Sequence, residues 1–258
     1  LFSSSLGLVE FLMLDLKGYG FTLLEGAGMT LKVALLSLLL AAILGMVGAM
    51  AKLSRNRLAR AIATLYTTIV RGIPDLVLMM LLFFGGQVFV NFLCGSINEH
   101  LNDWLTQRNP AHEWTSYVPD YVDISPFIAG VLTIGFIFGA YMAETFRGAI
   151  LAVDRGQLEA ANAYGMTQFQ VFRRVLFPQM VRHALPGFGN NWLVLLKTTA
   201  LVSVIGLDDM VRKAALAAGT TQLPFTFYMV VAIVFLLFTA VSTTALKWAE
   251  RRYAIHTR

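Results

Sequence analysis

The 258 residues are 57% hydrophobic and only 14% charged, with a mean hydropathy of +0.67. Soluble domains carry about 25% charged residues, so this composition excludes a soluble domain and predicts a membrane protein. The formal net charge of +5 would also suit a nucleic-acid-binding protein, and the placement of the basic residues decides between the two.

The N-terminal segment, residues 1–27, is predicted to lie at the membrane surface rather than to cross the membrane. Its apolar residues recur every three or four positions, and charged residues interrupt them: Leu6, Val9, Leu12, Met13 and Leu16, with Glu10, Asp15 and Lys17. Such an amphipathic helix is too charged to span and suits the interface. No basic stretch precedes the first apolar run, so no cleaved signal peptide is expected, and the start at Leu1 rather than Met leads us to expect a few preceding residues.

Five apolar segments are long enough to cross a membrane, which requires roughly 20 residues each. They cover about 30–50, 61–93, 125–143, 188–204 and 224–246. The second would measure about 50 Å as a straight helix, so either its first turns lie outside the bilayer or it bends near Gly72 and Pro74. We therefore predict an all-α polytopic membrane protein with five transmembrane helices in one domain, residues 1–258.

The charges of the connecting loops predict the orientation. The segments after the first, third and fifth apolar runs hold 13 lysines and arginines, whereas those on the opposite side hold 4. By the positive-inside rule, the central loop 148–187 and the C-terminus are cytoplasmic, and the N-terminus and the acidic loop 95–124 are external. Within this arrangement we expect a short helix at 98–104 and a charge-balanced loop at 208–213. The basic charge is thus a membrane signature, and nucleic-acid binding is not expected.

Motifs for catalysis, metal binding and nucleotide binding are absent from the sequence. The four histidines, His100, His112, His183 and His256, have no partners at ligand spacing, and the chain lacks both a phosphate-binding Gly-rich loop and a Gly-x-Ser-x-Gly elbow. Cys94 is the only cysteine, so no intrachain disulfide forms. We expect no catalytic residue, metal or cofactor in this chain.

Apart from Lys32, which is placed to snorkel at the start of the first run, five charged residues lie in or beside the apolar segments: Arg71, Asp75, Glu144, Arg147 and Lys197. A charge at the bilayer centre costs about 2.5–3.5 kcal/mol, so such residues face protein or a water-filled cavity rather than lipid. Arg71 and Asp75 are four residues apart and Glu144 and Arg147 three apart, so each couple can form an ion pair on one helical face. The alternative is contact with a substrate, for which Tyr141, Asn190 and Asn191 are neutral polar candidates. Lys197 has no local acid and needs a partner on another helix or a cavity.

A polar segment from Gly156 to Pro178, GQLEAANAYGMTQFQVFRRVLFP, stands out between the apolar runs. It predicts a short helix, a sharp turn at Gly165 that favours positive φ, and a basic segment ended or kinked by Pro178. Glu159-Ala160-Ala161, Gly165 and Pro178 resemble the EAA loop of ABC importer permeases. The resemblance extends from about Gly28 to Tyr253, through residues 28–30, 66–76, 139–150 and 190–206, and is to the polar amino-acid branch of the histidine/lysine/arginine/ornithine or opine type.

The resemblance implies the type I importer permease fold, in the bacterial inner membrane. It implies a second permease subunit, identical or similar, and an extracytoplasmic amino-acid-binding protein. It also implies a cytoplasmic ATPase dimer, which binds ATP and contacts the loop at Glu159, Ala160, Ala161, Gly165 and Pro178. Phe177 departs from the family's usual leucine before the proline.

The expected substrate is a polar, basic amino acid. Substrate-path candidates are Asp75, Glu144, Tyr141, Asn190 and Asn191, and interior charge pairs involve Arg71, Arg147 and Lys197. Asp75 is the sharper candidate for cation selectivity because many relatives carry leucine there, whereas Glu144 also belongs to members that carry uncharged substrates. Transport of an opine or another polar amino acid, an autonomous ion-coupled carrier and a membrane-embedded enzyme are the alternatives.

Overall fold

A computed structural model describes residues 16–108, 119 and 121–253, which form helices and no strand. The helices are α1 Gly20–Leu53, α2 Arg57–Gly72, α3 Asp75–Arg108, α4 Pro126–Leu151, α5 Arg155–Ala163, α6 Gln168–Val171, α7 Phe177–Thr198, α8 Met210–Thr221 and α9 Pro224–Tyr253. Among them α1, α3, α4 and α9 are long and apolar enough to cross a membrane. The amphipathic helix predicted near the N-terminus lies almost entirely outside the described residues.

The second apolar segment is divided into two helices at Ile73 and Pro74. Ile73 is extended, with φ −105° and ψ 138°, since a following proline disfavours the helical conformation. The expected bend is therefore a complete break. The idea that Arg71 and Asp75 share one helical face is wrong, because they belong to the end of α2 and the start of α3.

Helix α3 continues to Arg108, well beyond the loop start predicted at residue 95. The predicted short helix 98–104 is part of this long helix, whose last turn is held by Arg108 stacking 4.5 Å above the Trp104 ring. The chain then returns along α3, where the Val122 N–H donates to Asn91 Oδ1 at 2.8 Å and the Ile124 N–H donates to Gln87 Oε1 at 2.9 Å.

The fourth predicted span, 188–204, is helical, but its helix α7 begins and ends earlier, is followed by a 3-10 turn at Thr199–Ser203, and is not among the four helices apolar enough to cross a membrane. Pro178 does not end the preceding helix as predicted. A π-helical turn, Phe172–Leu176, connects α6 directly to α7, so the helix continues through Pro178 with a change of winding just before the proline. Helix α7 is less apolar than the other spans, and it packs buried side chains such as Leu195 and Leu196 into the main core.

The core is built around α4, which packs most extensively on α1 and also on α7 and α2. Glycines allow this closeness: a Cβ on Gly45 would lie 2.4 Å from Met142 Cβ, and one on Gly139 would lie 2.8 Å from Tyr66 Oη. Small residues that let two helix backbones approach each other closely are typical of helix pairs in membranes. Helix α4 is therefore the central helix of the core. The face of α4 that carries the partly exposed Tyr141 and Thr145 is left to form a site.

Helices α8 and α9 pack with the start of α1 into a second cluster that includes Leu23, Met210 and Phe227. The loop predicted at 208–213 is wrong for its second half, because α8 begins at Met210 with Asp209 as its N-cap. Asp, Asn, Ser and Thr are the preferred N-cap residues, so Asp209 was a readable signal for a helix start.

Candidate functional site

A group of polar side chains, called the polar cleft below, lies on the partly exposed face of α4. Tyr141 and Thr145 are one helical turn apart on this face, and both are partly exposed. From α2, the Arg71 guanidinium lies 5.4 Å from the centroid of the Tyr141 ring, within the range of a cation–π contact. From α7, Asn191 Nδ2 donates to Thr145 Oγ1 at 3.0 Å. Three helices that are distant in sequence thus bring polar groups to one surface.

Asp75 also belongs to this cleft. It is half-buried at the first turn of α3, and it is near enough to Tyr141 for the two side chains to interact electrostatically. Neither Asp75 nor Arg71 forms an ion pair within the described part of the chain. Asp75 is therefore an uncompensated carboxylate beside an exposed guanidinium and a phenol. The break at Ile73–Pro74 separates the two charges instead of letting them neutralise each other along one helix.

Asn190 and Lys197 are exposed on α7. Asn190 neighbours Asn191 at the α7 side of the cleft, whereas Lys197 lies two helical turns further along the helix. Lys197 has no acidic partner among residues 16–108, 119 and 121–253. Of the two environments predicted for Lys197, an acidic partner on another helix is thus not found among these residues, and the side chain is exposed.

Glu144 is occupied by two protein cations. Arg147 Nε donates to Glu144 Oε2 at 2.9 Å, and Lys52 Nζ, from the end of α1, donates to Glu144 Oε1. Lys52 Nζ also donates to Thr67 Oγ1 at 2.6 Å, so this network joins α1, α2 and α4. The Lys52 and Glu144 side chains are only 10% and 21% exposed. Both carboxylate oxygens already have cationic donors, which leaves Glu144 little capacity for another cation.

Sequence reasoning missed Lys52, because it lies 92 residues from Glu144 and was counted among the loop bases. The signal that would have placed it is the glycine pattern of α1: Gly45 and Gly48 contact α4, so a lysine one turn later points towards the same helix. That contact is tertiary and cannot be read from spacing within one segment.

The central loop forms a compact helical hairpin. Asp154 caps α5 by accepting a hydrogen bond from the Gly156 N–H at 2.7 Å. The turn expected at Gly165 is confirmed, with φ of +77°, and the Met166 N–H bonds back to the Ala161 carbonyl at 3.2 Å. Gly165 has open space around its Cα, so the requirement for glycine is conformational rather than steric. Thr167 and Gln170 then form a reciprocal capping box that starts α6.

The predicted contact residues of this loop face different ways. Glu159, Ala160 and Pro178 are exposed, whereas Ala161 is only 5% exposed and packs within the loop. Two large side chains not predicted as contacts project outward instead: Tyr164 is 87% exposed and Phe169 is 68% exposed. An exposed pair of aromatic side chains beside a rigid turn is typical of a protein contact surface.

A second buried carboxylate, Asp209, was also missed. Asp209 Oδ1 accepts a hydrogen bond from the Arg212 N–H at 2.9 Å, while Oδ2 is buried without a partner among the described residues. Burial raises the pKa of Asp209 to about 6. The side chain lies where α8 meets α1, since a Cβ on Gly26 would be 2.7 Å from Met210 Cα.

Comparison with known proteins places this architecture in a family. Residues 37–255 match the family described as "Binding-protein-dependent transport system inner membrane component". The chain is 47% identical over 240 residues to the histidine/lysine/arginine/ornithine transport system permease protein HisQ of Salmonella typhimurium, covering 93% of this chain and 96% of that protein. It is 37% identical over 248 residues to the octopine transport system permease protein OccQ of Rhizobium meliloti, covering 96% of each.

A solved structure agrees with these relatives. The crystal structure of an amino acid ABC transporter with histidines superimposes with a TM-score of 0.72 at 31% identity, over 93% of this chain and 98% of that one. The resemblance to ABC importer permeases and the all-α polytopic fold are both confirmed. The chain belongs to the family of binding-protein-dependent transport system inner membrane components.

Proposed function

We propose that this chain is the transmembrane permease subunit of an ATP-driven importer for basic amino acids. The observation that carries the proposal is the cleft on α4, where Asp75 is a carboxylate without a protein cation. The name of the Salmonella relative, a permease for histidine, lysine, arginine and ornithine, supports the same substrate class.

The cleft has complementary groups for both ends of a basic amino acid. Arg71 is an exposed guanidinium and suits the α-carboxylate, since guanidinium–carboxylate pairs are strong and directional. Asp75 suits a cationic group, and Tyr141 and Asn190 add neutral hydrogen-bonding groups. Glu144 does not serve as the cation acceptor in this scheme, because Lys52 and Arg147 already engage both of its oxygens. Glu144 is instead a structural group that fixes the cytoplasmic half of α4.

The partners follow from the open surfaces. The cleft is uncovered in a single chain, so a second permease subunit, identical or similar, would enclose it. The hairpin of α5 and α6, with Glu159, Ala160 and the exposed Tyr164 and Phe169, would insert into a cytoplasmic ATPase, which binds the ATP. An extracytoplasmic binding protein would deliver the amino acid from the other side. The chain itself binds no metal or cofactor in this proposal.

The proposed orientation places the hairpin and the C-terminus in the cytoplasm and the N-terminus outside. It rests on the 13-to-4 division of basic residues between the two sets of loops. The basic end of α9, with Arg251 and Arg252, lies on the same side as the hairpin in this arrangement. That side is the one an ATPase must reach.

The test is to reconstitute the chain with its native partners and to measure ATP hydrolysis and uptake with a panel of ligands. We expect lysine, arginine, ornithine or histidine, presented with the binding protein, to stimulate both activities. Octopine belongs in the panel because the Rhizobium relative is an octopine permease. Uptake by the chain alone in proteoliposomes, driven by an ion gradient without an ATPase, would refute the proposal and favour an autonomous carrier.

A further inference from the structure

Helix α2 has three distinct faces. Ala63, Thr67 and Val70 are buried against the protein. An apolar stripe of Leu58, Ile62, Leu65 and Ile69 is exposed, with between 48% and 68% of each side chain accessible. A polar stripe of Arg57, Arg60, Thr64, Thr68 and Arg71 is also exposed, and it contains no carboxylate. With 3.6 residues per turn, the two exposed stripes are centred roughly 130° apart.

The contacts of α2 place it in the membrane rather than on its surface. Tyr66 Oη donates to the Phe136 carbonyl at 2.5 Å, and Arg71 stacks on Tyr141, so α2 runs along α4, one of the helices able to cross a membrane. Tyr141 lies ten residues before the end of α4 at Leu151, or roughly 15 Å, which is half of a hydrocarbon core about 30 Å thick. Helix α2 therefore lies within the depth of the bilayer, with Arg71 near the middle.

The polar stripe is incompatible with lipid at this depth. Charged side chains in membrane helices face water or other protein, whereas the apolar stripe suits lipid. The hydroxyls of the stripe's two threonines are not used within the helix, unlike those of some other threonines. Thr198 and Thr244 donate to the carbonyl four residues earlier, at 3.1 and 2.8 Å, which satisfies a hydroxyl in an apolar environment. Thr64 and Thr68 make no such bond within the described residues, so their hydroxyls stay available to water.

We propose that the polar stripe of α2 lines a water-filled passage that leads from the cleft to the cytoplasmic side. The inference rests on the proposed transport function and extends it by naming the wall of the exit route. Hydroxyl and guanidinium groups there bind a carboxylate, but nothing on the stripe binds a cation. A basic amino acid that leaves Asp75 therefore meets no second carboxylate on this wall, so the wall does not retain its positive side chain.

The test compares the two exposed stripes by thiol labelling in the assembled transporter. In a Cys94→Ala background, single variants Thr64→Cys and Thr68→Cys probe the polar stripe, and Leu65→Cys and Ile69→Cys are matched controls one residue further on. Everted membrane vesicles are treated with a membrane-impermeant methanethiosulfonate reagent. Because reaction requires an ionised thiol in water, we expect the two polar-stripe positions to react about tenfold faster or more.

Uptake by the same variants gives a second readout. A bulky ammonium group attached at position 68 should block uptake of the amino acid, while the same group offered to the Ile69→Cys variant should leave uptake unchanged. Equal or slower labelling at 64 and 68 than at 65 and 69 would overturn the inference and indicate that protein covers the stripe. Labelling does not depend on transport, so failure of the proposed function and failure of this inference give different results.

Discussion

Removing the Lys52 amine should destabilise the assembled protein far more than removing the Arg147 guanidinium, although both contact Glu144. In Lys52→Met the carboxylate loses its less exposed partner, whose side chain is only 10% accessible, and the 2.6 Å bond to Thr67 is lost as well. Breaking one side of a buried ion pair typically costs about 3–5 kcal/mol. Arg147 is 40% accessible and three residues from Glu144, a geometry in which a pair contributes at most about 1 kcal/mol. We therefore expect a loss of about 3 kcal/mol for Lys52→Met and under about 1 kcal/mol for Arg147→Met.

The assay is the melting temperature of the purified transporter in detergent, read from the loss of monodisperse complex after heating. The double variant Lys52→Met with Glu144→Gln is the control, because it removes the carboxylate that Lys52→Met leaves with Arg147 as its remaining cation. We expect it to recover most of the stability lost in Lys52→Met. An Arg147→Met variant at least as unstable as Lys52→Met, or a double variant no better than the single, would refute the assignment of Lys52 as the principal partner of Glu144.

Three further predictions concern the hairpin, the orientation and the buried acid of α8. Gly165→Val should leave the protein inserted but abolish ligand-stimulated ATP hydrolysis, because a β-branched residue resists a φ of +77°. Gly165→Asn is the control and should retain ligand-stimulated hydrolysis. Normal stimulation in the valine variant would count against docking through this loop. In a background without Cys94, a cysteine at position 109 should react with an impermeant thiol reagent added from outside, and a cysteine replacing Gln168 should not. The opposite labelling pattern would contradict the proposed orientation. The pKa of Asp209 is raised from 3.8 to about 6, so the folded protein binds the proton more tightly and loses up to about 3 kcal/mol of stability as pH rises through 6. Asp209→Asn keeps the capping oxygen, so its melting temperature should exceed that of the wild type at pH 8 and equal it at pH 4. A difference in melting temperature that is the same at both pH values would contradict the raised pKa of Asp209.

Features set by local chemistry were predictable from the sequence. The break at Pro74 follows from a proline that restricts its predecessor, and the turn at Gly165 follows from a glycine between two short polar helices. The apolar runs located the first, third and fifth spans, because length and composition largely determine a span, whereas the second was placed too early and the fourth is a less apolar helix. The resemblance to importer permeases was confirmed, and its motifs could be read because each is contained in one contiguous segment.

Features that depend on tertiary packing were not predictable. Lys52 meets Glu144 only because glycines let α1 approach α4, and no spacing within either helix shows this. Ala161 reads as a contact residue from its small size, yet the fold of the hairpin buries it and exposes Tyr164. The three faces of α2 are not evident in the sequence, because its apolar residues continue into those of α3 and only the break at Ile73–Pro74 defines α2 as a separate helix.

The central claim is that Asp75 provides the cation site of the cleft, and the most direct measurement is substrate selectivity in the reconstituted importer. Uptake of lysine and of an uncharged polar amino acid is compared for the wild type, for Asp75→Asn and for the control Asp123→Asn, whose carboxylate is exposed between α3 and α4. We predict that Asp75→Asn assembles normally, keeps its basal ATP hydrolysis and any uptake of the uncharged substrate, and loses lysine uptake, while Asp123→Asn behaves as the wild type. Equal loss of both substrates in Asp75→Asn, or undiminished lysine uptake, would contradict the account.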